Sequence, residues 1–293
     1  MIDRLHPLSI LIYFLSASLI PAFSRNPVLH TLCLITGFLM LFTWADAGKI
    51  LKRVPVFLLF FLIISLFNPF FYHNGNTVLF YVAGRRFSLE ALLFGADSAL
   101  IVIGVSVWFI SLSHYMTGDK VLLLFGVLST KLATIVSLIM RIIPHYASYI
   151  NAYRKQQKLM GIYGEGTFLE RLRAEAKIFA GFLTWSLEHS MTTADSMTSR
   201  GYGVAKRKSY RIYRIRQIDI LIMITSVIFI LLLGLSLIRG TFETNYYPVI
   251  VMQPQGREAI LSESVYIIYS LFLTVKHLIK VNYGFFENKQ SKI

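Results

Sequence analysis

Apolar runs separated by short polar breaks fill most of this chain. Candidate runs are 8–23, 27–44, 54–72, 88–111, 121–143, 218–238 and 259–279. A helix that crosses a membrane needs about 20 mostly apolar residues, and about 17 at the least. The first two runs are short and are joined by Ser24-Arg25-Asn26, as in a tight helical hairpin. Pro69 followed by His73-Asn74-Gly75-Asn76 marks a turn after the third. Between 145 and 217 the pattern changes to a polar stretch of helical period. Arg4 ahead of the apolar run from Leu8 to Phe23 has the outline of a cleaved signal. The apolar sequence resumes at Pro27, however, so a first transmembrane hairpin is the better reading.

Charge then decides which runs cross. The polar stretch carries thirteen Lys and Arg against five acids, within a chain whose net charge is +14. Cationic loops stay on the cytoplasmic side, which places 145–217 inside, and the loop 45–53 with Lys49, Lys52 and Arg53 likewise. Run 121–143 holds Lys131 and Arg141, and a full crossing by it would put the basic stretch outside. It is therefore predicted to be interfacial or partly embedded. Six crossings remain, with both termini cytoplasmic, and Arg85 and Arg86 fall on the outer side as the exception. The predicted fold class is an all-α integral membrane protein with about six transmembrane helices plus long amphipathic cytoplasmic helices. Its parts are a four-span block at 1–120, an interfacial and cytoplasmic region at 121–217, and a two-span block at 218–293.

Within the polar stretch a helix is predicted from about Lys131 to Met160, broken by Gly161 and Gly164. A second runs from about Phe168 to Ser199. Thr167 and Glu170 form its capping box, and Leu169, Leu172, Ala176, Phe179, Leu183, Leu187, Met191, Ala194 and Met197 make one apolar stripe. Gly201 and Gly203 suit its C-terminal cap, and Arg200 stands in the last turn, where the helix dipole favours a cation.

The segment Met197-Thr198-Ser199-Arg200-Gly201-Tyr202-Gly203, closing the second of two long helices after a membrane block, resembles the transmembrane T component of energy-coupling factor (ECF) transporters. The layout agrees from about Leu8 to Ile238. In that family of ABC importers for vitamins and metal ions, two coupling helices each end in an X-Arg-X motif, the second typically Ala-Met-x-x-Arg-Gly-Tyr. The first motif departs from the family: in Gln156-Gln157-Lys158-Leu159-Met160-Gly161, Met160 stands where the arginine would, with Lys158 and Arg154 as nearby cations. The resemblance implies a non-catalytic plasma-membrane subunit without cofactor, its ATP bound by partners. Those partners would be two cytoplasmic ABC-type ATPase subunits and a substrate-binding (S) membrane subunit. The implied docking residues are Ser199, Arg200 and Gly201 at one helix end and Arg154, Lys158, Met160 and Gly161 at the other. The apolar stripe would hold the S subunit.

Composition agrees with a membrane chain: 55% hydrophobic, 15% charged, mean hydropathy +0.61. The basic surplus matches anionic lipid better than nucleic acid, because no aromatic-interleaved basic platform accompanies it. No Walker A sequence occurs, and Gly161-Ile162-Tyr163-Gly164-Glu165-Gly166 lacks its Lys-Ser/Thr, so it reads as a helix breaker. The seven histidines show no metal spacing and Cys33 reads as a packing thiol. Asp97 and Glu263 are the clear acids within spans; Asp97 is expected to pair with Lys131 or Arg141, and Glu263 to lie near the outer surface. Two other classes stay open. A lipid-modifying membrane enzyme would use Asp195 and His189, and a stand-alone secondary transporter would couple through Asp97.

Overall fold

The computed structural model describes residues 5–71, 75–82, 85–161, 167–202, 204, 215–239, 244–246, 251–252 and 257–290. It is about 85% helical, with no closed sheet. In chain order the described elements are α1 (Pro7–Ala22), α2 (Pro27–Phe42), α3 (Ala47–Phe71), β1 (Val78–Val82), β2 (Arg85–Ser88), α4 (Leu89–Tyr115), α5 (Gly118–Leu128), α6 (Thr130–Leu159), α7 (Phe168–Ser199), α8 (Gln217–Ile238), β3 (Thr244–Asn245), β4 (Val251–Met252) and α9 (Arg257–Gln290). Two compact units share them: Met1–Thr117 with Tyr213–Ile293, and Gly118–Ile212.

In the first unit, polar residues next to prolines start the helices. His6 Nδ1 accepts from the Leu8 N–H ahead of α1, and Asn26 Oδ1 accepts from the Val28 N–H ahead of α2. Each is followed by Pro at the first helical position, where the missing donor costs nothing. The core forms around fully buried Trp108, whose Nε1–H donates to the Cys33 carbonyl at 3.1 Å. Gly37 lets α2 lie against this ring: a Cβ there would stand 3.1 Å from it. Gly95 does the same for α4 on α3, where a Cβ would meet the Ser65 carbonyl at 2.8 Å. Such close approach at small residues is how helices associate in lipid.

This core is also hydrogen-bonded. Tyr13 donates to the Ser270 carbonyl at 2.8 Å, Tyr266 donates to the Ala17 carbonyl at 3.2 Å, and Tyr269 and Ser226 share a bond of 2.8 Å. These tie α1, α8 and α9 into one bundle. At the start of α8, buried Asp219 accepts from the His6 N–H (2.8 Å), the Ser9 hydroxyl (3.0 Å) and the Arg216 N–H (2.9 Å).

Three boundaries differ from expectation. The basic loop at 45–53 is mostly helix, because α3 starts at Ala47 and the Asp46 backbone carbonyl accepts from the Lys49 and Ile50 N–H groups, opening the helix. Two short antiparallel hairpins, β1–β2 and β3–β4, stand in connections for which no strand is predicted. The apolar run 121–143 divides between α5 and α6 at Ser129, whose backbone is extended (φ −161°, ψ 132°).

In the second unit α5 folds back along α6. Gly118 faces Met140 and Gly126 faces Ala133, so the two chains run antiparallel. Helices α6 and α7 meet through stacked rings: His145 with His189, Tyr149 with Trp185 (3.5 Å between ring centres), and Tyr153 against Gly181. Numbers rise along one helix as they fall along the other, so these two are also antiparallel. Arg154 closes the contact on Glu175 at 3.0 Å.

Four helical stretches are long and apolar enough to cross a membrane: α3, α4, Lys131–Leu159 of α6, and Gln217–Ser236 of α8. Helices α1, α2 and the Ala259–Val275 part of α9 are apolar but shorter. Much of the outer surface of α3 and α8 is apolar, with Leu58, Phe67, Ile224 and Leu231 all exposed. Water would not tolerate faces of that size, and lipid would. The chain has the build of an all-α membrane protein.

Candidate functional site

The candidate site residues fall at the C-termini of α6 and α7, and the two ends are built alike. Helix α7 stops at the Arg200 cap because Gly201 takes φ +77°, a left-handed conformation that side chains disfavour. The Tyr202 N–H then donates to the Met197 carbonyl (3.0 Å) and the Gly201 N–H to the Thr198 carbonyl (2.9 Å). Those two bonds are the Schellman pattern, which satisfies carbonyls the helix leaves open. Helix α6 stops at the Met160 cap in the same way: Gly161 has φ +72° and its N–H donates to the Lys158 carbonyl at 3.1 Å. Met160 and Arg200 thus hold equivalent cap positions.

What the two ends present is different. Arg200 is exposed, set on the partial negative charge of the α7 terminus. Ser199 lies beside it, its hydroxyl donating to the Ser196 carbonyl at 2.9 Å. The α6 end exposes Leu159 and Met160, at 88% and 71%, with Lys158 exposed in the same last turn. Arg154 lies more than a turn before that end and spends its guanidinium on Glu175. Gly203 and Gly164 fall outside the described residues.

The antiparallel crossing sends the ends apart. At about 1.5 Å per residue, Met160 lies about 16 Å beyond Tyr149 and Arg200 about 22 Å beyond Trp185, in opposite directions. The arrangement is two long helices joined at a ring stack, each with an exposed, glycine-capped end.

The apolar stripe read from the sequence is not the face α7 packs with. Ala174 and Ile178 are buried, while Trp185 and His189 stack on α6. Leu169, Leu172, Phe179, Leu183, Leu187 and Met191 stay exposed on the other side. Helix α7 therefore has two working faces, an aromatic one spent inside the unit and an aliphatic one left over.

Asp97 finds neither Lys131 nor Arg141. His30 Nδ1 lies 2.7 Å from its Oδ1, both side chains buried. Tyr246 hydrogen-bonds the same carboxylate, and burial, with that charge beside it, raises the phenol's pKa above its usual range. The pairing wins because His30, at the start of α2, and Asp97, in α4, meet across two closely packed helices. The other imidazole nitrogen, His30 Nε2, faces the Ser24 carbonyl at 3.1 Å and the Ser24 hydroxyl at 3.3 Å. The Ser24 hydroxyl donates to the Pro21 carbonyl at 2.7 Å, and the residue is buried. Glu263 accepts from the Asn26 side-chain amide at 2.9 Å. His189 is taken up in the ring stack and Asp195 is exposed elsewhere on α7, so these two do not form a site.

Sequence reading missed Asp219 altogether. Its signal was local: an acid three residues after Arg216, at the start of the clearest apolar run. Among the described residues no group of three or more metal-binding side chains occurs. No known protein family matches the sequence, and no characterised protein does.

Proposed function

We propose that this chain is the transmembrane coupling subunit of an ECF-type ABC importer for vitamin or metal-ion uptake. The observation that carries the reading is the pair of crossed helices with equivalently capped, exposed ends, one of them tipped by Arg200. An arginine fork on an exposed helix tip suits a carboxylate in a groove of a cytoplasmic ATPase subunit. The α6 tip, carrying Met160 with Lys158 beside it, would enter the second ATPase. The chain would do no chemistry and hold no cofactor, its partners hydrolysing ATP. Closure of the ATPase pair would shift the two tips and turn the helices about their stacked crossing. The free aliphatic face of α7 would pass that motion to a substrate-binding membrane subunit.

In this arrangement α1, α2, α3, α4, α8 and α9 cross the plasma membrane and both termini are cytoplasmic. Helix α6 is long enough to cross, but Lys131 and Arg141 favour leaving it on the cytoplasmic side with the rest of the basic arm. The reading is tested by co-purification in mild detergent. Arg200→Glu should lower recovery of ATPase subunits more than tenfold, since breaking an interfacial charge pair costs about 2–5 kcal/mol. Equal recovery from wild type and variant sinks it. Met160→Arg should strengthen recovery.

A second reading rests on the His30–Asp97 pair, because a carboxylate bonded to an imidazole at a helix interface is an arrangement that can relay protons. It requires that the chain alone, in vesicles, move solute under a proton gradient.

A further inference from the structure

A groove runs along the seam of α8 and α9. Its inner part has a volume of about 220 Å³ and is lined almost wholly by carbon, from Thr225 and Phe272 up to Leu232 and Val265. The outer part, about 380 Å³, shares Leu232 and Val265 with it and opens at Ser236, Ser262 and Arg239. From Thr225 to Arg239 the rise of the helix gives about 21 Å. Half of a bilayer's hydrocarbon core is about 15 Å, so the groove is long enough for one acyl chain with its headgroup at the mouth.

The mouth has the matching charge. Arg239 is exposed one residue past the end of α8, and no carboxylate is among the described residues lining the groove there. A guanidinium binds phosphate through a two-pronged, charge-assisted contact. Ser262 and Ser236 add polar atoms at the same level.

We propose that the α8–α9 groove binds one anionic phospholipid, its acyl chain between the helices and its phosphate on Arg239. The inference needs only that α8 lie in the bilayer, and so stands apart from the transporter reading. A lipid there would wedge the seam beside Phe229 and Tyr269, which stack at 4.0 Å and belong to the main core.

The full chain, purified in mild detergent and exposed to an equal mixture of phosphatidylglycerol and phosphatidylcholine, should retain phosphatidylglycerol selectively by native mass spectrometry. Arg239→Glu should lower that retention about tenfold, and Arg239→Lys only in part. Val265→Trp, which fills the groove and leaves the mouth intact, should abolish it. Retention of both lipids in proportion to their supply would overturn the proposal, as would unchanged retention in Arg239→Glu and Val265→Trp. If Val265→Trp kept its lipid but released a co-purifying membrane subunit, the groove would be a protein seam and the proposal would fail. Tryptophan fluorescence and monodispersity of each variant show whether it is folded, and Arg239→Glu changes an exposed side chain that no core contact needs.

Discussion

Asp219 is a buried carboxylate fully occupied by donors from two parts of the chain. Two of the three are backbone N–H groups, that of His6 buried and that of Arg216 part-buried. Asp219→Ala would leave the His6 and Arg216 N–H groups without this acceptor, while the Ser9 hydroxyl keeps the His6 carbonyl at 2.7 Å. Unsatisfied buried donors cost about 1–3 kcal/mol each when they cannot relax. A loss of about 3 kcal/mol is expected, read as a lower midpoint of thermal unfolding in detergent, while Asp219→Asn, which keeps one acceptor oxygen, should lose less. The same logic in miniature applies at Gly201. A side chain at φ +77° costs about 1–2 kcal/mol, and the strain sits only in the terminal turn. Gly201→Ala should thus leave the thermal midpoint in place and speed amide exchange at Gly201 and Tyr202, whose donors close the cap. If exchange there is unchanged, the left-handed turn is not what holds Arg200 in place.

At the level of elements, the α6–α7 crossing depends on Gly181. A Cβ there would lie 2.6 Å from the Tyr153 hydroxyl, so Ala pushes that ring aside and a larger residue parts the helices. Gly181→Leu should part the two helices at this crossing, read as a red shift of the Trp185 fluorescence as its ring leaves the stack on Tyr149. Helix α7 was legible in its ends, because a capping box and a cap glycine are local signals written in Thr167, Glu170 and Gly201. Its packing face was not legible. Counting apolar residues selects the aliphatic side, whereas the contact with α6 is made by Trp185, His189 and the small Gly181, residues that a hydrophobic stripe passes over. The break at Ser129 was hidden for a related reason, since neither Gly nor Pro marks it. Lys49, Lys52 and Arg53 looked like a loop because charge was weighed above helix continuity, and the Asp46 carbonyl, opening the helix, restores them to α3. The partner of Asp97 lies 67 residues away, a distance at which sequence pattern says nothing about contact.

For the whole molecule, the strongest consequence concerns sidedness. In the first unit the α1–α2 turn, the β1–β2 hairpin and the β3–β4 connection are drawn together: Asn26 bonds Glu263, Asp97 bonds Tyr246, and Thr77 donates to Glu90. The α2–α3 turn, with Asp46 and Lys49, joins the opposite ends of its helices. If α1 to α4, α8 and α9 all cross, every hairpin connection lies on one side, and the α2–α3 turn with both tips of the basic arm lies on the other. Cys33 is the sole cysteine and is buried, so a cysteine introduced elsewhere reports against a nearly silent background. In intact cells, a membrane-impermeant maleimide should label Asn76→Cys and Thr244→Cys. It should leave Lys49→Cys, Met160→Cys and Ser199→Cys unlabelled until the membrane is opened. Labelling of Met160→Cys from outside would put the arm beyond the reach of any nucleotide-driven partner. Labelling of Asn76→Cys and Met160→Cys on the same side, with Thr244→Cys on the opposite side, would instead make α6 a true crossing and the number of spans odd.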